Sequence, residues 1–168
     1  MATTQPSHGK PQISLEVRRT FAAPREKVFA AWADPQQVAQ WMYKGVASHA
    51  IFHRQNDIRT GGRYQVEIRD SKKNQTYWGQ GVYCEVTPHE KIVFSWNWTM
   101  ATPDGAQLHP DSPETQVSVE FFAQGDSTEV VLTHAFFGSE KDRKDHDGGW
   151  NGCFNALEKF LQTSGASR

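Results

Sequence analysis

Apolar and polar residues alternate by twos along most of the chain and by threes and fours at its two ends, so the period alone divides it into strands and helices. The stretch ISLEVRRTF sets Ile13, Leu15 and Val17 against Ser14, Glu16 and Arg18, which predicts a half-buried first strand. Pro24 then opens a helix with Val28, Phe29 and Trp32 as its stripe, and Asp34-Pro35 interrupts it. A second short helix repeats the spacing with Val38, Trp41 and Met42 before a turn at Lys44-Gly45. From Val46 to about Phe137 the period is that of strands. One is expected around residues 47–53, and a second from Gly61 places Tyr64, Val66 and Ile68 inward against Arg63, Gln65, Glu67 and Arg69 facing water. Thr76 to Val86 reads as a long strand in which Gly79 and Gly81 mark a bend, a bulge or a close approach. KIVFSWNW carries Ile92, Phe94, Trp96 and Trp98 on one face, and two further strands turn Val117, Val119 and Phe121, then Val130, Leu132 and His134, to the same side. Between them Met100 to Glu114, with Pro103, Gly105, Pro110 and Pro113, is expected to be one long irregular loop.

The last periodic stretch, HDGGWNGCFNALEKFL at residues 146–161, gathers Trp150, Cys153, Phe154, Leu157, Phe160 and Leu161 on one side of a helix. Asn151, Asn155, Glu158 and Gln162 take the other side. At roughly 1.5–3 kcal/mol per large side chain buried, this stripe is worth on the order of 10 kcal/mol gross, so the helix must lie on a partner surface. The N-cap region is expected at Asp147, with the charged SEKDRKDHD segment leading in. The elements together predict an α+β domain over residues 13–162. It is an antiparallel sheet of about seven strands around a long C-terminal helix, with two short helices after the first strand. Residues 1–12 read as a disordered arm and 163–168 as a tail.

At 168 residues the chain suits one domain. No apolar run approaches the ~20 residues of a membrane helix, and the start lacks the basic-then-apolar order of a signal peptide, so a cytoplasmic protein without membrane insertion is expected. Eighteen Lys and Arg against nineteen Asp and Glu, with no basic run, argue against a nucleic-acid partner. A monomer or weak homodimer is expected, with any dimer forming at the sheet edges. The number that changes the picture is six tryptophans in a chain that is 12% aromatic. That is enough to line a pocket as well as fill a core.

Candidate chemistry is sparse. There is no G-x-S-x-G, and Cys153 on the apolar helix face and Cys84 on a strand read as free structural thiols. His49 and His53 share a strand face but lie about 13 Å apart, too far to share an ion, and H-E-x-x-H is absent, so neither metal nor cofactor is expected. Gly61-Gly62 suits a tight bend, with Arg59 beside it to hold Asp57 or a carbonyl. His146 reads as a cap or surface residue. His134, titratable and inward among aromatics, is either a satisfied core histidine or a group able to orient a ligand.

Four stretches in order resemble one family: APREKVFAAWADPQQVAQWM (23–42), DIRTGGRY (57–64), GVYCEVTPHEKIVFSW (81–96) and HDGGW (146–150). They are similar to bacterial proteins named after the activator of the ninety-kilodalton heat-shock protein ATPase. These belong to the SRPBCC group, with the START lipid-transfer domains and the aromatic polyketide cyclases. The resemblance implies the helix-grip fold of START and Bet v-like domains. Members are variously cyclases, lipid or hormone carriers, resistance proteins and co-chaperones, so function has to come from the site.

A ligand-binding protein with an internal cavity between sheet and final helix is the leading expectation, its candidate lining being Tyr64, Trp96, Trp98, Phe121, His134, Trp150 and Phe154. The expected ligand is small and apolar or aromatic. A cyclase- or hydrolase-like enzyme in the same cavity is the alternative, and no catalytic residue is assigned. A chaperone-interacting stress protein is a third reading, which calls for an exposed apolar patch.

Overall fold

The computed structural model describes residues 12–44, 48–101, 107–108 and 114–166. Their order is β1 (Ser14–Phe21), α1 (Arg25–Ala33), α2 (Pro35–Trp41), β2 (His49–Asn56), β3 (Arg63–Asp70), β4 (Gln75–Thr87), β5 (Lys91–Ala101), β6 (Gln107–Leu108), β7 (Thr115–Gln124), β8 (Ser127–Ala135) and α3 (Glu140–Ala166). Every strand pair is antiparallel, and seven strands run β1-β8-β7-β5-β4-β3-β2 in one open sheet.

Alternation dictates the core. Register aligns Leu15, His134, Val117, Phe94 and Tyr83 in one row across five strands, and Val17, Leu132, Val119, Ile92 and Val86 in the next. All but Val86 are buried. Bulges at Arg54 in β2 and Cys84 in β4 interrupt the ladders, a device that bends and twists a strand. α3 packs on β1, α1 and α2, bringing Trp150, Cys153, Phe154, Leu157 and Leu161 into the core. Its opposite side, Asn151, Asn155, Glu158 and Gln162, is exposed. At the α1–α2 junction, Asp34 caps α2 by accepting from the Gln36 amide at 3.0 Å, and the Trp41 indole donates to the Ala31 carbonyl at 2.8 Å.

The structure corrects several sequence expectations. α3 starts at Glu140, not near Asp147, because Ser139 Oγ accepts from the Asp142 amide at 3.1 Å and so caps the charged segment. Ion pairs Arg143–Glu140 at 2.8 Å and Lys141–Asp145 at 3.1 Å line its first turns. His146 therefore sits within the helix, and the helix continues past Gln162 to Ala166. Pro24 is the N-cap of α1, one position before its first turn. β2 begins at His49 and runs to Asn56, later than expected. Within the expected loop, β6 pairs with the end of β5. Residues 1–11 of the expected arm, Gly45 of the expected Lys44-Gly45 turn and most of that loop lie outside the described residues. The outer face of β3 is not uniformly wet: Glu67 is buried, taking Arg54 Nε and Nη2 at 2.9 and 2.7 Å and Arg69 Nε on its other oxygen. Both guanidiniums lie against the Phe52 ring, at 4.9 and 4.7 Å. Burial pushes the Glu67 carboxyl up, but the hydrogen bonds and charge of the two arginines outweigh it and hold the group below the usual carboxylate range.

Candidate functional site

Beside the Trp96–Trp98 end of the β5 strip, β4 carries glycines where side chains would crowd their neighbours. A Cβ at Gly81 would fall 2.0 Å from the Ser95 carbonyl oxygen and 2.8 Å from the Tyr64 ring, and one at Gly79 would fall 3.2 Å from the Trp98 ring. Tyr64 uses the room at Gly81 to reach the Ser95 carbonyl with its hydroxyl, at 2.6 Å. Tyr83 likewise donates to Asn56 Oδ1 at 2.6 Å. The turn before β3 is built around its own glycines and Arg59, which pairs with Asp57 at 2.9 Å.

Above this face, under Trp32, Val38 and Met42 of the α1–α2 pair, lies a void of about 40 Å³. Its floor includes His53, Tyr64, Phe94 and Trp96, and Tyr43 forms part of its wall. The volume holds water-sized contents and falls well below the roughly 300 Å³ of an ordinary ligand pocket. No Lys, Arg, Asp or Glu lines it.

Of the seven residues picked from the sequence, Tyr64 and Trp96 line this void. Trp98 stands edge-on to Trp96 at 4.9 Å and donates its indole N–H to His146 Nε2 at 3.2 Å. Phe121 lies elsewhere in the core, against Phe29 and Trp32, and Phe154 is enclosed near Phe21 and Trp32. Neither Trp150 nor Phe154 borders the void, so α1 and α2, not the final helix, roof it.

His134 is held in a closed relay. The Trp150 indole can only donate, and its nitrogen is 3.0 Å from His134 Nδ1, so Nδ1 accepts and Nε2 carries the proton. Nε2 donates to Thr115 Oγ1 at 2.7 Å, and that hydroxyl donates to the Trp96 carbonyl at 3.1 Å. Both ring nitrogens are thereby satisfied inside the protein. Burial, with a smaller contribution from His146, lowers the His134 pKa to about 3, so the imidazole is neutral at physiological pH.

Of the buried polar atoms left without partners, the sequence reading had picked only the residue Trp96; Arg25 Nε, away from the void, is another. Trp32 Nε1, Trp96 Nε1 and His53 Nε2 are sealed from solvent without hydrogen-bond partners, and all three belong to residues lining the void. A buried orphan of this kind costs about 1–3 kcal/mol. Burial, then the charge of Lys44, lowers the His53 pKa. Tyr43 adds strain: its φ is 64°, a left-handed conformation costing on the order of 1–3 kcal/mol in a residue other than glycine. Its ring lies 5.8 Å from Trp96 and 6.3 Å from both His53 and Trp98. Burial raises the Tyr43 phenol well above the usual tyrosine range. His53 was visible in the sequence only as a poor metal ligand. Tyr43 could have been flagged as an aromatic immediately after the last periodic residue of α2.

Among the described residues no three His, Cys, Asp or Glu side chains converge as a metal site, and no helix is long and apolar enough to cross a membrane. Cys84 and Cys153 are free, and burial pushes the Cys153 thiol up to about 11.

An open antiparallel sheet, two short helices after its first strand and a long C-terminal helix packed against the sheet and those helices define a helix-grip protein. Within that class, the model of the Activator of Hsp90 ATPase homolog 1-like family matches residues 22–162, and the chain belongs to this family. Solved bacterial structures share the fold. A protein from Chromobacterium violaceum is 18% identical with a TM-score of 0.75, covering 90% of this chain and 98% of its own. The AHSA1 protein from Silicibacter pomeroyi is 21% identical with a TM-score of 0.73, covering 90% and 99%. One from Rhizobium loti is 24% identical with a TM-score of 0.70, covering 91% and 99%. No curated protein is a significant match.

Proposed function

We propose that this protein binds a small, largely apolar or aromatic molecule in an interior site between the β3–β5 face and the α1–α2 pair. The observation that carries the reading is the void beneath Trp32, lined by aromatic rings together with the amides of Gln55, Asn56 and Gln65, and bordered by residues with three buried polar atoms that lack partners. A finished core satisfies such atoms, and a site that awaits a ligand leaves them open. At about 40 Å³ the void is smaller than such a ligand, so binding requires it to widen.

Binding is favoured over catalysis because the void has no carboxylate or amine on its wall to pair with His53, its single histidine, and His134 has both nitrogens engaged elsewhere. It is favoured over a chaperone-docking role because the exposed large hydrophobics among the described residues, Phe122 and Phe136, stand at opposite ends of the β7–β8 pair and make no patch. The test is tryptophan fluorescence during titration with a panel of apolar aromatics and fatty acids. At least one class should change the emission saturably, and Trp96→Phe should weaken its affinity. Silence across the whole panel would refute the reading.

A further inference from the structure

We infer that the first two turns of α3, residues 140–147, are a pH-sensitive clasp: His146 fastens them to the sheet, protonation of its ring unfastens them, and Gly148-Gly149 is where the helix then breaks.

The segment has little else to hold it. No side chain from 138 to 149 is buried, and the apolar stripe that seats α3 begins only at Trp150. Its ion pairs, Arg143–Glu140 and Lys141–Asp145, stay within the segment, and the adjacent Ser139 supplies the cap. Among the described residues, the hydrogen bonds and ring contacts that join 140–147 to the sheet and to Phe137 are all made by His146. Its ring stands 5.0 Å from Phe137 and 5.1 Å from His134, and its Nε2 lies 3.2 Å from Trp98 Nε1.

The chemistry of that last bond makes the fastening conditional. The Asp142 carbonyl can only accept, so His146 Nδ1, 2.7 Å from it, carries a proton. The Trp98 indole can only donate, so Nε2 must be bare to receive it. A second proton on the ring goes to Nε2 and sets N–H against N–H. Histidine is the side chain that exchanges these two states between about pH 5 and 8. On α3 the charged neighbours of the ring are Asp142, Arg143, Lys144, Asp145 and Asp147. From β8 it faces His134, which a pKa of about 3 keeps neutral at pH 5.5 and above. From β5 and from the β8–α3 connection it faces Trp98 and Phe137, which carry no charge. These neighbours on the sheet side offer the new cation no counter-charge, whereas water solvates it once the clasp opens.

The break point lies where the clasp joins the seated helix. A Cβ at Gly148 or Gly149 meets nothing within 4 Å, so no close packing requires glycine there, and after proline glycine is the residue least able to carry a helix onward. The side-chain tie across them is Asn151 Nδ2, which donates to the Asp147 carbonyl at 2.9 Å on the exposed side. A segment this short, cut off from the seated helix, does not stay helical in water, where about 12–15 residues are needed. Opening therefore unwinds 140–147 and uncovers the sides of Phe137 and Trp98 that His146 covers.

The experiment is amide hydrogen exchange of the whole chain, labelled with nitrogen-15 and read by NMR at pH 7.5 and 5.5, with each rate divided by the intrinsic rate at that pH. The reference is His146→Gln, whose amide oxygen accepts from the Trp98 indole at both pH values while His134 is left in place. On acidification, protection of amides 144–147 should fall about tenfold or more further in the wild type than in His146→Gln, while amides 154–161 should fall equally in the two proteins. His146→Leu, with no acceptor, should show the low protection of 144–147 already at pH 7.5. Alanine at both Gly148 and Gly149, with His146 intact, should shrink the acid-induced loss at least about threefold. The same loss in His146→Gln as in the wild type would overturn His146 as the sensor, and full protection of 144–147 in His146→Leu at pH 7.5 would overturn it as the fastening. An undiminished loss in the double alanine variant would overturn the glycines as the break point.

Discussion

The buried histidine makes the protein's stability depend on pH in a calculable way. Burial holds the folded His134 pKa down at about 3, against the ordinary 6.5 of a histidine. For a base whose folded pKa is depressed, the unfolded chain takes up a proton before the folded one does. The stabilisation is therefore complete above pH 6.5 and is lost progressively as pH falls toward 3. Between those limits each pH unit removes up to about 1.4 kcal/mol, so by pH 5 the loss from this residue alone is about 2 kcal/mol. The perturbation that isolates it is His134→Leu. At pH 7.5 the variant is less stable by about 1–3 kcal/mol, because the Trp150 indole loses its acceptor in a closed core while the Thr115 hydroxyl keeps the Trp96 carbonyl. At pH 5 the wild type has surrendered about 2 kcal/mol that the variant cannot lose, so the gap between them narrows to near zero or reverses. Urea titrations of both proteins at the two pH values supply the difference of differences, in which the other histidines largely cancel. A gap that is the same at pH 5 as at pH 7.5 would refute the account of His134 as a neutral, fully hydrogen-bonded core group.

Other expectations rest on single side chains. Trp150→Ala should cost about 3–5 kcal/mol in chemical denaturation, since it empties a large buried aromatic site and orphans His134 Nδ1; a cost under 1 kcal/mol would contradict its burial. Gly81→Ala should destabilise strongly or fail to fold, because its Cβ would meet the Ser95 carbonyl oxygen at 2.0 Å. In contrast, Gly149→Ala should raise stability by about 0.5–1 kcal/mol, as a Cβ there meets nothing within 4 Å and the position is helical; thermal melts of the two variants should move in opposite directions. Treatment with a strong chelator should leave the melting temperature unchanged, and a marked drop would reveal a metal site that the sequence pattern did not suggest.

What was legible in the sequence is what a period can encode. Leu132 and His134 alternate with Thr133, so their inward direction followed from the residues themselves, as did the buried side of α3 from Trp150 to Leu161. The beginning of α3 was not legible because Glu140 to Asp147 carries no apolar stripe; its helicity depends on the Ser139 cap, on ion pairs and on continuity with an amphipathic stretch downstream. The candidate site suffered from a similar gap. Alternation tells which face of β5 carries Trp96 but not which helix lies over it, and so the roof was assigned to α3 when Trp32 and Met42 supply it. His134 was correctly turned inward, yet its partners Thr115 and Trp150 are nineteen and sixteen positions away in sequence, beyond the reach of any local pattern.

The pairing of β1 with β8 also sets a timetable for the ribosome. Ser14 lies opposite Ala135, so among the described strands β1 pairs with β8 alone, the last of them, whereas β2 to β5 pair with their immediate successors as a local meander. At roughly 5–20 residues per second, the stretch separating those partners takes on the order of ten seconds to emerge. For that interval Leu15, Val17 and Phe21 have no sheet to lie on, and the loop that must finally close around them is nearly the whole domain. Of the described strands β1 is made first, and its inward side chains stay uncovered until β8 has followed.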